Sequence, residues 1–218
     1  MKKNYTDITF ILDRSGSMSG KEAAVKSGFK EFIDKQRELP GKATISVFQF
    51  DDIYEAIYEN MDLENITGLD DYKPRNMTAL NDAIGKTITS KGTYYSSLKP
   101  LDRPEKVILV IVTDGMENAS KEFTGEQVKQ MVEHQQAKYN WEILYIGSNQ
   151  DAVFTGVSMG ADMSHCHTIH DGIAGYATAF GQISANATLF RTGTTKSMAF
   201  TDEQRKKQEE LMNKLGNG

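Results

Sequence analysis

The chain has 218 residues, 39% of them hydrophobic and 25% charged, which suits one globular domain with a substantial core. A net charge of −5 offers no basic footprint for nucleic acid or acidic lipid, and the lone Cys166 excludes an intrachain disulfide. No apolar run approaches the roughly 18 residues of a membrane span, so a cytoplasmic protein with neither nucleic-acid nor membrane partners is expected.

The start, MKKNYTDITFILD, has too few apolar residues for a signal peptide, and Asp7 and Asp13 bracket them. Residues 6–13 (TDITFILD) are therefore expected as the first strand. Ser19 and Glu22 have capping-box spacing, and Val25, Phe29, Phe32 and Ile33 then recur on one helical face. Residues 43–50 (ATISVFQF) alternate as a strand, and 54–60 (YEAIYEN) are expected to pair back on them as an antiparallel edge. In TALNDAIGKTITSKG, Leu80, Ala83, Ile84 and Ile88 predict a second helix.

Residues 106–114 (KVILVIVTD) form the most apolar run and predict a central strand buried on both faces. Val128, Met131 and Val132 mark a helix in GEQVKQMVEHQQAKY, ahead of a strand at 141–148 (WEILYIGS). A short strand at 165–169 (HCHTI) and a helix from about Ile173 to Phe190 follow. RTGTTKSMAF reads as a loop, and TDEQRKKQEELMNKLGNG as a terminal helix capped by Thr201 and Gln204. That helix carries a narrow stripe of Leu211, Met212 and Leu215 and is expected to dock on its own domain. Strands alternating with helices predict an α/β fold: a three-layer, Rossmann-like open sheet, mostly parallel with one antiparallel edge, helices on both faces. The expected division is a domain over 1–192 and an extension of loop and charged helix over 193–218.

In such a sheet, ligands bind beyond the carboxyl ends of strands, where connections diverge. Asp13 and Asp114 each close an expected strand, Ser15 and Ser17 follow Asp13 at steps of two, and Thr78 stands where a helix begins. Two carboxylates and three hydroxyls make an oxygen-only donor set, suited to a hard divalent cation. Gly16 lets the loop bend between the serines.

Asp13-x-Ser15-x-Ser17, the downstream Thr78 followed by Ala-Leu, and Asp114 in TDG resemble the metal-ion-dependent adhesion site of von Willebrand factor A domains, over about residues 5 to 190. The resemblance implies that Ser15, Ser17 and Thr78 coordinate Mg2+ (or Mn2+) directly, with Asp13 and Asp114 acting directly or through water. It also implies that a glutamate or aspartate of a partner protein completes the sphere, in a binding module that is not an enzyme. Asn76 and Met77 stand where family members commonly carry glycine before the threonine, and asparagine tolerates the left-handed backbone region. Asn118, in DGMEN, is a candidate to orient the site from behind.

Other motifs carry less. GSMSGKE has three residues between its glycines, and Glu22 follows Lys21, so it is not a nucleotide-binding P-loop. On a strand, His165 and His167 would share one face and Cys166 the other, which argues against zinc. A phosphotransferase-type aspartate at Asp13 lacks the second acid, because Ser15 occupies that position, and no G-x-S-x-G elbow is present. His134 lies on a polar helix face, and the Asp51-Asp52 and Asp70-Asp71 pairs read as turns. The alternatives to metal-dependent protein binding are a metal-dependent phosphoester hydrolase and a scaffold acting through its terminal helix beside a vestigial site.

Overall fold

The computed structural model describes residues 1–148 and 152–215. Six strands form one sheet in the order β3-β2-β1-β4-β5-β6: β1 (Lys2–Asp13), β2 (Lys42–Phe50), β3 (Tyr54–Asp62), β4 (Pro104–Thr113), β5 (Glu142–Gly147) and β6 (Cys166–Thr168). All neighbours run parallel except β3, which folds back antiparallel on β2 at the edge. The helices are α1 (Glu22–Arg37), α2 (Leu80–Ser97), α3 (Gly125–Tyr139), α4 (Ala152–Ser158), α5 (Ile173–Arg191) and α6 (Asp202–Leu215).

Successive strand residues point to opposite faces, so the central strands feed two cores. Ile8, Phe10, Leu12, Val110 and Val112 join α1 and α5 on one side, while Ile11, Leu109, Ile111 and Ile143 join α2 and α3 on the other. Phe10 anchors the first core, edge-on to Phe29 and Phe32 at ring separations of 5.5 and 5.0 Å. β1 and β4 run parallel side by side though far apart in sequence, and the strand order reverses there: β2 and β3 are added on one side of β1, and β4, β5 and β6 on the other. This is the topological switch point, where an open parallel sheet leaves a crevice at its carboxyl edge.

The expected elements form with small shifts at their ends, and α4 is additional. One local expectation fails. Ser19 does not cap α1: that helix begins after Lys21, with no side-chain cap bond. Residues Gly16–Met18 instead take a single 3-10 turn, and Gly20 follows at φ +84°. A left-handed residue between Ser19 and the helix turns the chain out of helical register.

At the other end, the Thr201–Gln204 box does form, with Gln204 N–H donating to Thr201 Oγ1 at 3.2 Å and Thr201 N–H to Gln204 Oε1 at 2.9 Å. Helix α6 docks on its own domain. Arg205 donates to the Cys166 carbonyl at 2.9 Å, and the buried Gln208 accepts from His170 N–H and donates to the Gly175 carbonyl. The three residues of the His-Cys-His run go to separate uses. His165 lies in a 3-10 turn against Glu142 at 2.7 Å, Cys166 is buried in the second core, and His167 bonds Gln182 at 3.1 Å.

Candidate metal centre

Asp13 ends β1 with its side chain buried. Its Oδ1 accepts from the Ser15 N–H at 2.6 Å, its Oδ2 from the Thr113 hydroxyl at 2.5 Å, and its backbone carbonyl from the Tyr72 hydroxyl. Burial raises the Asp13 carboxyl pKa above its usual value, and the nearby Asp114 adds to this; the bonds from Thr113 and Ser15 offset only part. A buried carboxylate of this kind gains from an added cation.

The turn after Asp13 is fixed from one side by residues 75–79. Gly16 N–H donates to the Asn76 carbonyl at 3.1 Å, Arg75 N–H to the Arg14 carbonyl at 2.7 Å, and Ala79 N–H to the Asp51 carbonyl at 2.8 Å. Asn76 adopts φ +60°, the left-handed conformation that asparagine tolerates where Thr78 needs a preceding turn. Beneath the turn, the buried Arg14 pairs with Asp51 at 3.2 Å and with Glu55 at 2.6 Å, and Arg75 reaches the same Asp51 at 2.6 Å.

Sequence reasoning assigned Asp51 to a turn, and it does accept the Ile53 N–H at 2.6 Å. Its second oxygen, however, is the hub that ties β2 to both site loops. Such a role depends on pairings between distant segments, so no local signal marks it.

On the other side, Asp114 follows β4. Its Oδ1 accepts from the Ser17 hydroxyl at 2.5 Å, and Ser17 Oγ lies 3.0 Å from Ser15 Oγ. Thr78 is placed by Asn118, whose Oδ1 accepts the Thr78 N–H at 2.9 Å while its own N–H donates to the Thr78 carbonyl at 3.0 Å. The rest of the 115–123 loop is stitched to the start of α2. Glu117 accepts from Asn81 N–H at 2.8 Å, and Asp82 accepts from the N–H groups of Lys121, Glu122 and Phe123 at 2.8–2.9 Å. Burial works against the charged form of Asp82, yet those three bonds hold its carboxyl below the usual range. At Gly115 an added Cβ would lie 2.7 Å from Thr78 Oγ1 and 3.3 Å from Asp13 Oδ2, so the Thr78 hydroxyl and the Asp13 carboxylate share one small space.

The structure thus brings Asp13, Ser15, Ser17, Thr78 and Asp114 together at the switch point, from three separate segments. Octahedral magnesium with oxygen bonds of about 2.1 Å sets neighbouring ligands about 3.0 Å apart, and the Ser15–Ser17 oxygen separation of 3.0 Å suits one edge of that figure. Two carboxylates and three hydroxyls have the hard-oxygen chemistry such an ion requires. Among the described residues, no group of three or more His, Cys, Asp or Glu is arranged for a metal, so the donor set depends on the hydroxyls.

Lys21 lay outside the sequence-based site. Its ammonium contacts Asp114 Oδ2, lies 2.6 Å from Asp171 Oδ1, and donates to the Ser17 carbonyl at 3.1 Å. One signal was available: a cation at the start of a helix opposes the positive end of the macrodipole, so a lysine there needs acids from elsewhere.

A family model for the von Willebrand factor type A domain matches residues 7–214. No curated protein matches the sequence. Among solved structures, proximal thread matrix protein 1 from the mussel byssus, described as having a zinc-occupied MIDAS motif, is similar at 15% identity and a TM-score of 0.61, over 84% of this chain and 46% of that one. A von Willebrand factor type A protein from Catenulispora acidiphila aligns at 17% identity and a TM-score of 0.59, over 84% of this chain and 42% of that one. The ArnB paralog VWA2 from Sulfolobus acidocaldarius aligns at 20% identity and a TM-score of 0.55, over 84% and 45% respectively. The chain therefore spans less than half the length of these similar structures, and the likeness is one of fold.

Proposed function

The chain belongs to the von Willebrand factor type A domain family, and from that premise we propose that it is a protein-binding module, not an enzyme, that captures an acidic side chain of a partner through Mg2+ (or Mn2+). The observation that carries this reading is the convergence of Asp13, Ser15, Ser17, Thr78 and Asp114 at the switch point, with Asp13, Ser15 and Thr78 buried and Ser17 exposed at the mouth. When bound there, a divalent ion supplies a Lewis-acidic contact for a carboxylate from outside.

The protein residues prepare that contact. Ser15, Ser17 and Thr78 are neutral donors, so they hold a cation without cancelling its charge. Asp13 and Asp114 supply the negative charge from behind. Thr113 and the Ser15 N–H fix the Asp13 carboxylate, and Asn118 holds Thr78 at the start of α2. Next to Thr78 and Gly115 in the chain, Met77 and Met116 are 52% and 79% exposed. Large apolar side chains flanking a charged centre suit a macromolecular surface. Among the described residues no helix is long and apolar enough to cross a membrane.

The test is capture from native lysate with Mg2+ or with chelator, using the wild type and the Ser15→Ala/Ser17→Ala double variant. Metal-dependent capture of a partner, lost in the double variant and on neutralising the partner's acidic residue, is the expected result. Capture indifferent to chelation would contradict the proposal and favour a scaffold acting through α6. Turnover of p-nitrophenyl phosphate with Mg2+, lost on Asp13→Asn, would favour the hydrolase.

A further inference from the structure

Lys21 is the residue just before α1, and its side chain is only 12% exposed. Its ammonium is enclosed by Asp114 Oδ2, by Asp171 Oδ1 at 2.6 Å and by the Ser17 carbonyl at 3.1 Å, and it faces the Tyr176 ring at 5.9 Å. Helix polarity disfavours a cation at this position, so the acids and the carbonyl hold it there. Two of those groups belong to the candidate metal centre. Asp114 is divided between the two sides: Oδ1 takes the Ser17 hydroxyl and Oδ2 takes Lys21. Asp171 comes from the segment between β6 and α5 and is 58% exposed in its side chain, so it can hold the ammonium without contributing to the oxygen cluster.

We propose that Lys21 is a resident cation that competes with the divalent ion for Asp114 and thereby sets the metal affinity of the centre, with Asp171 as the ammonium's alternative anchor. The proposal rests on the metal-centre reading above. A fixed positive charge beside the site opposes a second cation electrostatically and engages a carboxylate oxygen that the ion would otherwise draw upon. Asp171 moderates both effects, because an ammonium anchored there releases Asp114 at lower cost. The balance keeps the centre from binding trace divalent ions too tightly to exchange, and it makes metal occupancy depend on the segment carrying Asp171.

Titration calorimetry of the full chain with MgCl2 tests this, comparing wild type, Lys21→Met, Asp171→Asn and, as a control, the exposed and distant Lys30→Met. Lys21→Met is expected to tighten Mg2+ binding by roughly tenfold, Asp171→Asn to weaken it several-fold, and Lys30→Met to leave it unchanged. Because the two site variants move in opposite directions, a general loss of folding cannot reproduce the pattern, and Lys21→Gln, expected to tighten binding in the same way, carries the test if Lys21→Met does not fold. Wild-type binding that Lys21→Met does not tighten, or that Asp171→Asn does not weaken, overturns the proposal while leaving the metal centre standing. If neither the wild type nor Lys21→Met binds Mg2+, the metal-centre reading fails, and this proposal with it.

Discussion

Asn118 and Thr78 clasp each other across 40 residues of sequence: the Thr78 N–H donates to Asn118 Oδ1 at 2.9 Å, and the Asn118 N–H returns to the Thr78 carbonyl at 3.0 Å. The side-chain half of this pair positions a proposed ligand without touching the ion. Groups behind a metal's direct ligands typically change affinity by about 10–100-fold when removed. Asn118→Ala is expected to weaken Mg2+ binding at the low end of that range, and Asn118→Asp, which keeps the acceptor, to restore most of it. Calorimetry showing equal affinity in Asn118→Ala would remove Asn118 from the site.

Gly115 offers a cleaner block. A methyl group there would press on Thr78 Oγ1 at 2.7 Å and crowd Asp13 Oδ2. Gly115→Ala is therefore expected to abolish Mg2+ binding while thermal unfolding shifts little, since the crowded space is the site and not the apolar core. Undiminished binding would mean that the shared space is not where the ion sits.

Asp51 and Arg14 predict a stability effect of a different kind. Asp51 is fully buried and neutralises a guanidinium whose side chain is 4% exposed. Removing one partner of a buried pair leaves a charge uncompensated and costs about 3–5 kcal/mol. Asp51→Ala should lose about that much in urea unfolding. A loss below about 1 kcal/mol would show that Glu55, which also contacts Arg14, suffices.

His167 gives the fold a pH dependence. Burial, reinforced by Arg205, lowers its pKa to about 4, although the bond to Gln182 works the other way. The unfolded chain takes up this proton near the ordinary value of about 6.5, so between there and about 4 it binds more protons than the folded chain. Stability from this residue is complete above about pH 6.5 and falls as pH drops toward 4, by on the order of 3 kcal/mol in all. Comparing urea unfolding of wild type and His167→Leu at pH 7 and pH 4.5 isolates the effect. The variant should lose less stability on acidification, and identical losses would contradict the assignment.

The sheet was legible because its central strands are apolar enough to fix their own identity. The run 106–114 could only be buried on both faces, and it forms β4 over Pro104–Thr113. The five proposed ligands were legible because strand ends and a helix start carry oxygen side chains in an order that the family shares. Local capping was less reliable: the Thr201 box formed, but Gly20 overrode the Ser19 box. Asn118 was legible as a residue behind the site, but most of what distant pairing holds stayed hidden. Tyr72 donates to the Asp13 carbonyl, Asp51 gathers two arginines, and Lys21 joins acids that follow β4 and β6. None of these leaves a periodicity or a spacing to read, because each depends on where the folded strands finally end.

If three hydroxyls and two carboxylates hold a divalent ion, magnesium titration of the Ser15→Ala/Ser17→Ala double variant against the wild type is the decisive measurement. Saturable Mg2+ binding is expected in the wild type and none in the double variant, with far-UV circular dichroism unchanged. Equal Mg2+ affinity in the two proteins would contradict that metal centre.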